Sequence, residues 1–271
     1  MKIVLLKRLK EDNNMNQSEK RQYLIRRLLE EQPEYVNIQI PTGTSEQKQL
    51  LRSLMNIRMP AAIDREFISI QDNYLQQVNA DKGIVTLDDM TKVQPDIYIW
   101  KGDITRLKVS AIVNAANSGM TGCYQPCHSC IDNCIHTYTG IQLRNYCNNL
   151  MTKQGYEEPT GQAEITPAFN LLCDYIIHTV GPIVKGKLTT KHELQLKSCY
   201  DACLKIADDN AVNSIAFCCI STGVFGFPNK RASEIAVQTV KEYKKETDSE
   251  IKVIFNVFKE EDKQLYEQLL R

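Results

Sequence analysis

Neither sign of charge dominates this 271-residue chain: 33 lysines and arginines face 33 aspartates and glutamates, for a formal net charge of zero. It therefore lacks the basic excess that draws proteins to nucleic acid or anionic membranes, and an anionic ligand has to be caught by a local site. Long apolar runs are missing too. The opening residues 1–7 hold a four-residue apolar stretch between lysines, short of the roughly 7 to 15 apolar residues of an export signal. No later segment approaches the roughly 18 uncharged apolar residues of a membrane span. A cytoplasmic protein with no membrane or nucleic-acid partner is expected. Also lacking are a Walker phosphate loop and the GxGxxG, HExxH and GxSxG motifs, which argues against the common nucleotidase, dehydrogenase, zincin and serine-hydrolase chemistries.

Cysteine, by contrast, is abundant, with ten residues. In a long chain without an export signal, reduced thiols are expected rather than a disulfide scaffold. Cys199 and Cys203, four residues apart in a helical pattern, and Cys218 and Cys219, in an apolar run, read as small buried hydrophobes.

The texture of the sequence changes near residues 92–96. Before it, apolar residues at helical spacing predict helices over 18–32, 44–57 and 64–77, the first stopped by Pro33 and the second capped at Thr44 and Ser45. Residues 1–93 are thus expected to form a helical extension packed on the rest of the chain. After the change, β-branched runs predict strands at 97–100, 111–114, 163–166, 175–180, 214–220 and 251–258. They alternate with helices at 131–154, 191–209, 229–246 and 260–270. This alternation signals an α/β sheet with crossover helices, in which ligands bind beyond the carboxyl ends of the strands.

The loop after the second of these strands runs Asn114-Ala-Ala-Asn117 and on through Cys123, Cys127, His128, Cys130, Asp132 and Cys134 to His136. Four cysteines and two of the four histidines in 23 residues make a set that suits zinc better than disulfides in a reducing compartment. Cys123, His128 and Cys130 are the favoured ligands. Three ligands leave a tetrahedral ion one open position, as catalytic sites do; a fourth from Cys127, Cys134 or His136 would close the site and make it structural. Asp132 is placed to orient a water or act as general base, or else merely to cap the helix at Ile131. The loop Ser221-Thr222-Gly223-Val224-Phe225-Gly226, ahead of a helix, suits phosphate binding through its amides. Asp103, at a strand end, is suited either to accept a hydrogen bond from an adenine amino group or to cap its own turn. His178, inside an apolar strand, reads as a hydrogen-bonded core histidine, and His192 as solvated.

Taken together, Gly102-Asp103-Ile104-Thr105, Asn114-Ala-Ala-Asn117, Ile177-His-Thr-Val-Gly-Pro182 and Ser221-Thr-Gly-Val-Phe-Gly226 resemble the macrodomain family in order and spacing, over residues 94–271. The cysteine loop departs from the glycine run of many macrodomain hydrolases and is similar to the zinc-containing bacterial members. The resemblance implies a three-layer α/β/α fold with a mixed central sheet behind the helical extension. It further implies zinc-dependent removal of ADP-ribose from mono-ADP-ribosylated protein, on a carboxylate-type linkage, often opposing a sirtuin-like transferase. Carried over, Asp103 and Ile104 hold the adenine end and Asn117 the distal ribose; Ile131 and Asp132 are also expected to touch ADP-ribose, with Asn117 and Asp132 catalytic. Ser221, Thr222, Gly223, Val224 and Phe225 wrap the diphosphate and the distal ribose. Some relatives carry an acid at the place of Val224, so no acid from that loop enters the chemistry. The other functions left open are a reader of ADP-ribose with a structural zinc and a deacylase for O-acetyl-ADP-ribose.

Overall fold

The computed structural model describes residues 15–35 and 37–271; the short apolar stretch near the start lies outside them. Among the described residues three helices come first, α1 (Gln17–Glu30), α2 (Thr44–Ile57) and α3 (Arg65–Asp81). Asn16 caps α1 in a reciprocal box with Glu19, and Asp64 caps α3 through the Phe67 amide at 2.8 Å. These caps satisfy amide groups that no earlier turn can reach. The apolar stripes expected from spacing meet: Leu24, Leu28, Leu51, Leu54, Phe67 and Ile70 form a separate small core, closed on its far side by Ile141.

The remainder is built on seven strands: β1 (Thr91–Gln94), β2 (Ile97–Lys101), β3 (Ala111–Ala116), β4 (Ala163–Pro167), β5 (Tyr175–Val180), β6 (Ser214–Phe217) and β7 (Lys252–Val257). Their order is β1-β2-β7-β6-β3-β5-β4. The central five run parallel, while β1 and β4 are antiparallel edges. The sheet is therefore mixed, as expected. β1 is a strand that the sequence did not disclose, because its four residues are polar or half-exposed. It is a strand by pairing with β2 around Asp96, which takes a left-handed φ of 56°. The core of the sheet also takes in Val85 and Met90.

The sheet is covered by α4 (Ile131–Thr139), α5 (Ile141–Gln154), α6 (Thr190–Asp209), α7 (Asn229–Thr247) and α8 (Glu260–Leu269). Alternation along β5 shows how they divide. His178 faces α4, its ring 6.3 Å from that of His136, whereas its neighbour Thr179 reaches Cys199 on α6. Successive side chains of a strand point to opposite faces, so α4 and α6 lie in different layers, giving α/β/α. The single helix expected over 131–154 is two. Gly140, with φ of 101°, ends α4, and a side chain there would meet Gln142 and Gln71 atoms at 2.6 Å. β6 also stops at Phe217 rather than running on to 220.

None of the ten cysteines is paired. Cys199, Cys203 and Cys218 are buried, as expected of small core residues, whereas Cys219 is only half-buried. Among the described residues no helix is long and apolar enough to cross a membrane.

Candidate functional site

Because β2, β3, β5 and β6 run parallel, the loops that leave them all emerge at one edge of the sheet. Gly102 and Asp103, the cysteine loop, residues 181–189 and residues 218–228 are thereby gathered together, as ligand sites in open α/β sheets require. β3 and β6 pair at only two positions, Ala111 with Ile215 and Ile112 with Ala216.

Asp132 sits at the centre, 5 % exposed in the first turn of α4. Its side chain does not cap that helix; Cys130 does, accepting from the Asn133 amide at 3.4 Å. Instead Asp132 Oδ1 accepts from Asn114 Nδ2 at 2.8 Å, and Oδ2 from Asn117 Nδ2 at 3.3 Å. Burial pushes its pKa up to about 6, against the pull of these amides and Arg144. Asn114, in register with His178 across the β3–β5 ladder, also donates to His178 Nδ1 at 3.1 Å. The proton of that imidazole then lies on Nε2 and is donated to Thr166 Oγ1 at 2.9 Å. Burial holds His178 down at about 3, so it is the neutral, fully bonded core histidine its apolar strand predicted. Nothing local in the sequence marks Asn114 for this role; only the register reveals it as the support of Asp132.

Cys123, His128 and Cys130 present one ligand atom each, all within 4.8 Å of one another, with Cys123 Sγ 3.7 Å from His128 Nδ1. Ligands about 2.0 to 2.3 Å from a tetrahedral zinc stand roughly 3.5 to 3.8 Å apart, so this set fits that ion. Burial, reinforced by Cys123, pushes the Cys130 thiol up to about 12, and a cation is what would make its thiolate stable there. The three side chains that would have closed the site point elsewhere. Cys127 Sγ lies 3.2 Å from Ser53 Oγ, Cys134 Sγ lies 3.5 Å from Arg52, and His136 is buried beside Asp132 at 3.6 Å.

The Ser221 loop is strained where it begins. Ser221 adopts φ of 64°, and its Oγ is buried with no hydrogen-bond partner. Among the described residues, no backbone carbonyl accepts from the amides of Gly223, Val224 or Phe225. Val224 is 79 % exposed. Phe225 instead offers its carbonyl to the Val184 amide at 2.8 Å, tying this loop to the one after β5. At the other end Asp103 caps its own turn through the Thr105 amide at 3.0 Å, while its second oxygen lies 3.4 Å from Lys82. Ile104 is only 4 % exposed, so its side chain is part of the core; Ile131, at the start of α4, is half-buried. His192 joins a capping box at the start of α6.

The Macro domain profile matches residues 113–236. A protein of Treponema medium named protein-ADP-ribose hydrolase is 56 % identical over 260 residues, covering 94 % of this chain and 100 % of its own. The chain belongs to the Macro domain family. A protein-ADP-ribose hydrolase of Staphylococcus aureus (strain COL) is 44 % identical over 249 residues, 91 % of this chain and 93 % of that one. The Trypanosoma brucei macrodomain solved in complex with ADP-ribose superposes with a TM-score of 0.63 at 26 % identity, over 81 % of this chain and 95 % of its own. The two bacterial matches extend well beyond the macrodomain profile, so the similarity takes in helices of the extension.

Two long cationic side chains that border this macrodomain's candidate site escaped the sequence. Lys82, at the end of α3, bonds Thr105 Oγ1 at 3.0 Å and lies over the Tyr138 ring; burial lowers its pKa to about 8. Arg144 of α5 donates to the carbonyls of Thr121, Asn56 and Arg58 at 2.6 to 2.7 Å. A lysine or arginine in a polar helix has no local mark that separates such a role from a solvated one.

Proposed function

We propose that this macrodomain protein is a zinc-dependent hydrolase that removes ADP-ribosyl groups from modified protein side chains. A carboxylate-type linkage is favoured, and sirtuin-like mono-ADP-ribosylation is the modification reversed. The names of the relatives that match nine-tenths of the chain support the hydrolase class. The observation that carries the zinc reading is the convergence of Cys123, His128 and Cys130 two residues ahead of a buried carboxylate, with no fourth cysteine or histidine among the described residues turned toward them.

In this reading Cys123, His128 and Cys130 hold zinc, which when bound supplies Lewis acidity and a fixed positive charge. Asp132 orients the incoming water and accepts its proton. Its two oxygens are fixed by Asn114 and Asn117, so little reorganisation is needed as charge develops. Asn117 and Ile131 border the distal ribose. The amides of Gly223, Val224 and Phe225, with Ser221 and Thr222, wrap the diphosphate. Asp103, with the backbone at Ile104, receives the adenine end.

Single-turnover release of ADP-ribose from an ADP-ribosylated protein tests this, comparing zinc-loaded wild type with Cys130→Ala and recording metal content. Wild-type release, with loss of both zinc and rate in a folded variant, is expected. Binding of ADP-ribose without release from any linkage would make the protein a reader. Faster turnover of free O-acetyl-ADP-ribose than of modified protein would make it a metabolite deacylase.

A further inference from the structure

The metal loop is not held by the macrodomain alone. Residues 117–130 contain no helix or strand, and a loop of that kind pays a conformational cost when it converges on an ion. Here one face of α2, from the helical extension, already grips it. Arg52 donates to the His128 carbonyl at 2.7 Å and to Asn133 Oδ1 at 2.8 Å. Asn133 in turn donates to the Gln125 carbonyl at 2.9 Å. One turn on, Asn56 accepts from the Cys127 amide at 2.9 Å and donates to Thr137 Oγ1 at 2.9 Å. Cys127 has φ of 53°, a conformation that costs a non-glycine residue about 1 kcal/mol or more and persists only where neighbours enforce it. That bend lies between Cys123 and His128, whose side chains face each other with Sγ 3.7 Å from Nδ1. Arg144 completes the bracket by joining the end of α2 to the carbonyl of Thr121.

From these contacts we infer that α2 is a positioning element of the metal site. Arg52 and Asn56 fix the backbone at Cys127 and His128, so that Cys123, His128 and Cys130 converge before an ion arrives. This rests on the zinc reading above. It gives the helical extension a part in metal affinity although it supplies no ligand.

The test uses full-length protein and the variants Arg52→Ala, Arg52→Lys, Asn56→Ala and, as a control on the same helix, Gln49→Ala. Zinc affinity is measured by competition with a chromophoric chelator, and amide deuterium exchange of residues 121–130 is followed in the metal-free forms. Arg52→Ala and Asn56→Ala are expected to weaken zinc binding ten- to a hundredfold, the range found for residues that orient metal ligands. Their loop exchange should quicken while exchange in β3 and β5 stays as in wild type. Arg52→Lys should recover part of the loss, because Arg52 makes both contacts through the one nitrogen Nη2, which an ammonium can replace as a point donor on a shorter stem. Gln49→Ala should stay within twofold. Zinc affinity within twofold of wild type in Arg52→Ala and Asn56→Ala, with unchanged loop exchange, overturns the inference. Faster loop exchange in a protein whose wild type holds no zinc would support the clamp while sinking the metal reading, so the two failures are distinct.

Discussion

Replacing Asp132 by asparagine separates what this side chain does for the reaction from what it does for the fold. The amide would have the same shape but one acceptor oxygen and no negative charge. The 2.8 Å bond from Asn114 can survive, because that oxygen can still accept. The 3.3 Å bond from Asn117 cannot, since two amide NH2 groups would then face each other. Asn117 Nδ2 keeps a second acceptor in the Gly122 carbonyl at 3.1 Å, so the loss is partial. Exchanging a charge-assisted bond, worth about 1.5–3 kcal/mol, for a neutral one of about 0.5–1.5 kcal/mol sets a cost of roughly 1–2 kcal/mol. Removing a buried charge offsets some of this. Stability, read from urea denaturation, should therefore fall by no more than about 2 kcal/mol. A general base, however, contributes about a hundredfold to ten-thousandfold in rate, and single-turnover release should fall by that much while ADP-ribose still binds. A variant that releases ADP-ribose within threefold of the wild-type rate would show that Asp132 is not the base, whatever its effect on stability.

Two further outcomes come from other parts of the structure. In Gly181→Ala the new Cβ would collide with Ser221 Oγ and stand 2.9 Å from an Ile220 methyl, so the side chains at the start of the loop have to move. Overpacking of this kind costs about 1–3 kcal/mol; calorimetry should show ADP-ribose binding weakened roughly tenfold or more, and unaltered affinity would mean that this loop does not cradle the ligand. His178 has a native pKa of about 3, against an ordinary value of 6.5 for the unfolded chain. Between those values the unfolded chain takes up a proton that the native state refuses, so native stability is complete above pH 6.5 and falls as pH drops toward 3, by at most about 1.4 kcal/mol per pH unit. Buried His136, also held low, adds to this decline, and Asp132, raised to about 6 from 3.8, opposes it between those values. Urea midpoints from about pH 7 to about pH 4.5 are therefore compared between wild type and His178→Gln. The variant should lose part of the decline, and the same pH dependence in both would contradict the buried, neutral assignment.

Much of this architecture was written into local sequence. Helical stripes such as Leu24, Leu28, Leu51 and Leu54 and β-branched runs such as those at 175–180 encode their own burial by period. Four short motifs in register were enough to point to the family. The polar strand β1 and the break at Gly140 were not legible. One is created by pairing with β2, and the other by the approach of Gln71 from a different helix.

The candidate site divides along the same line. Residue types and spacing alone singled out Cys123, His128 and Cys130 as candidate ligands, since thiol and imidazole chemistry belongs to the side chain wherever it lies. Only the tertiary structure decided the rest: that Cys127, Cys134 and His136 turn away, that Asp132 is bound by two asparagines instead of capping its helix, and that Arg52, Lys82 and Arg144 bond the segments around the candidate site. Those are facts of direction and long-range contact. Spacing along a chain fixes which groups are available, but the direction in which a loop side chain points is set by the helices and strands that pack against it.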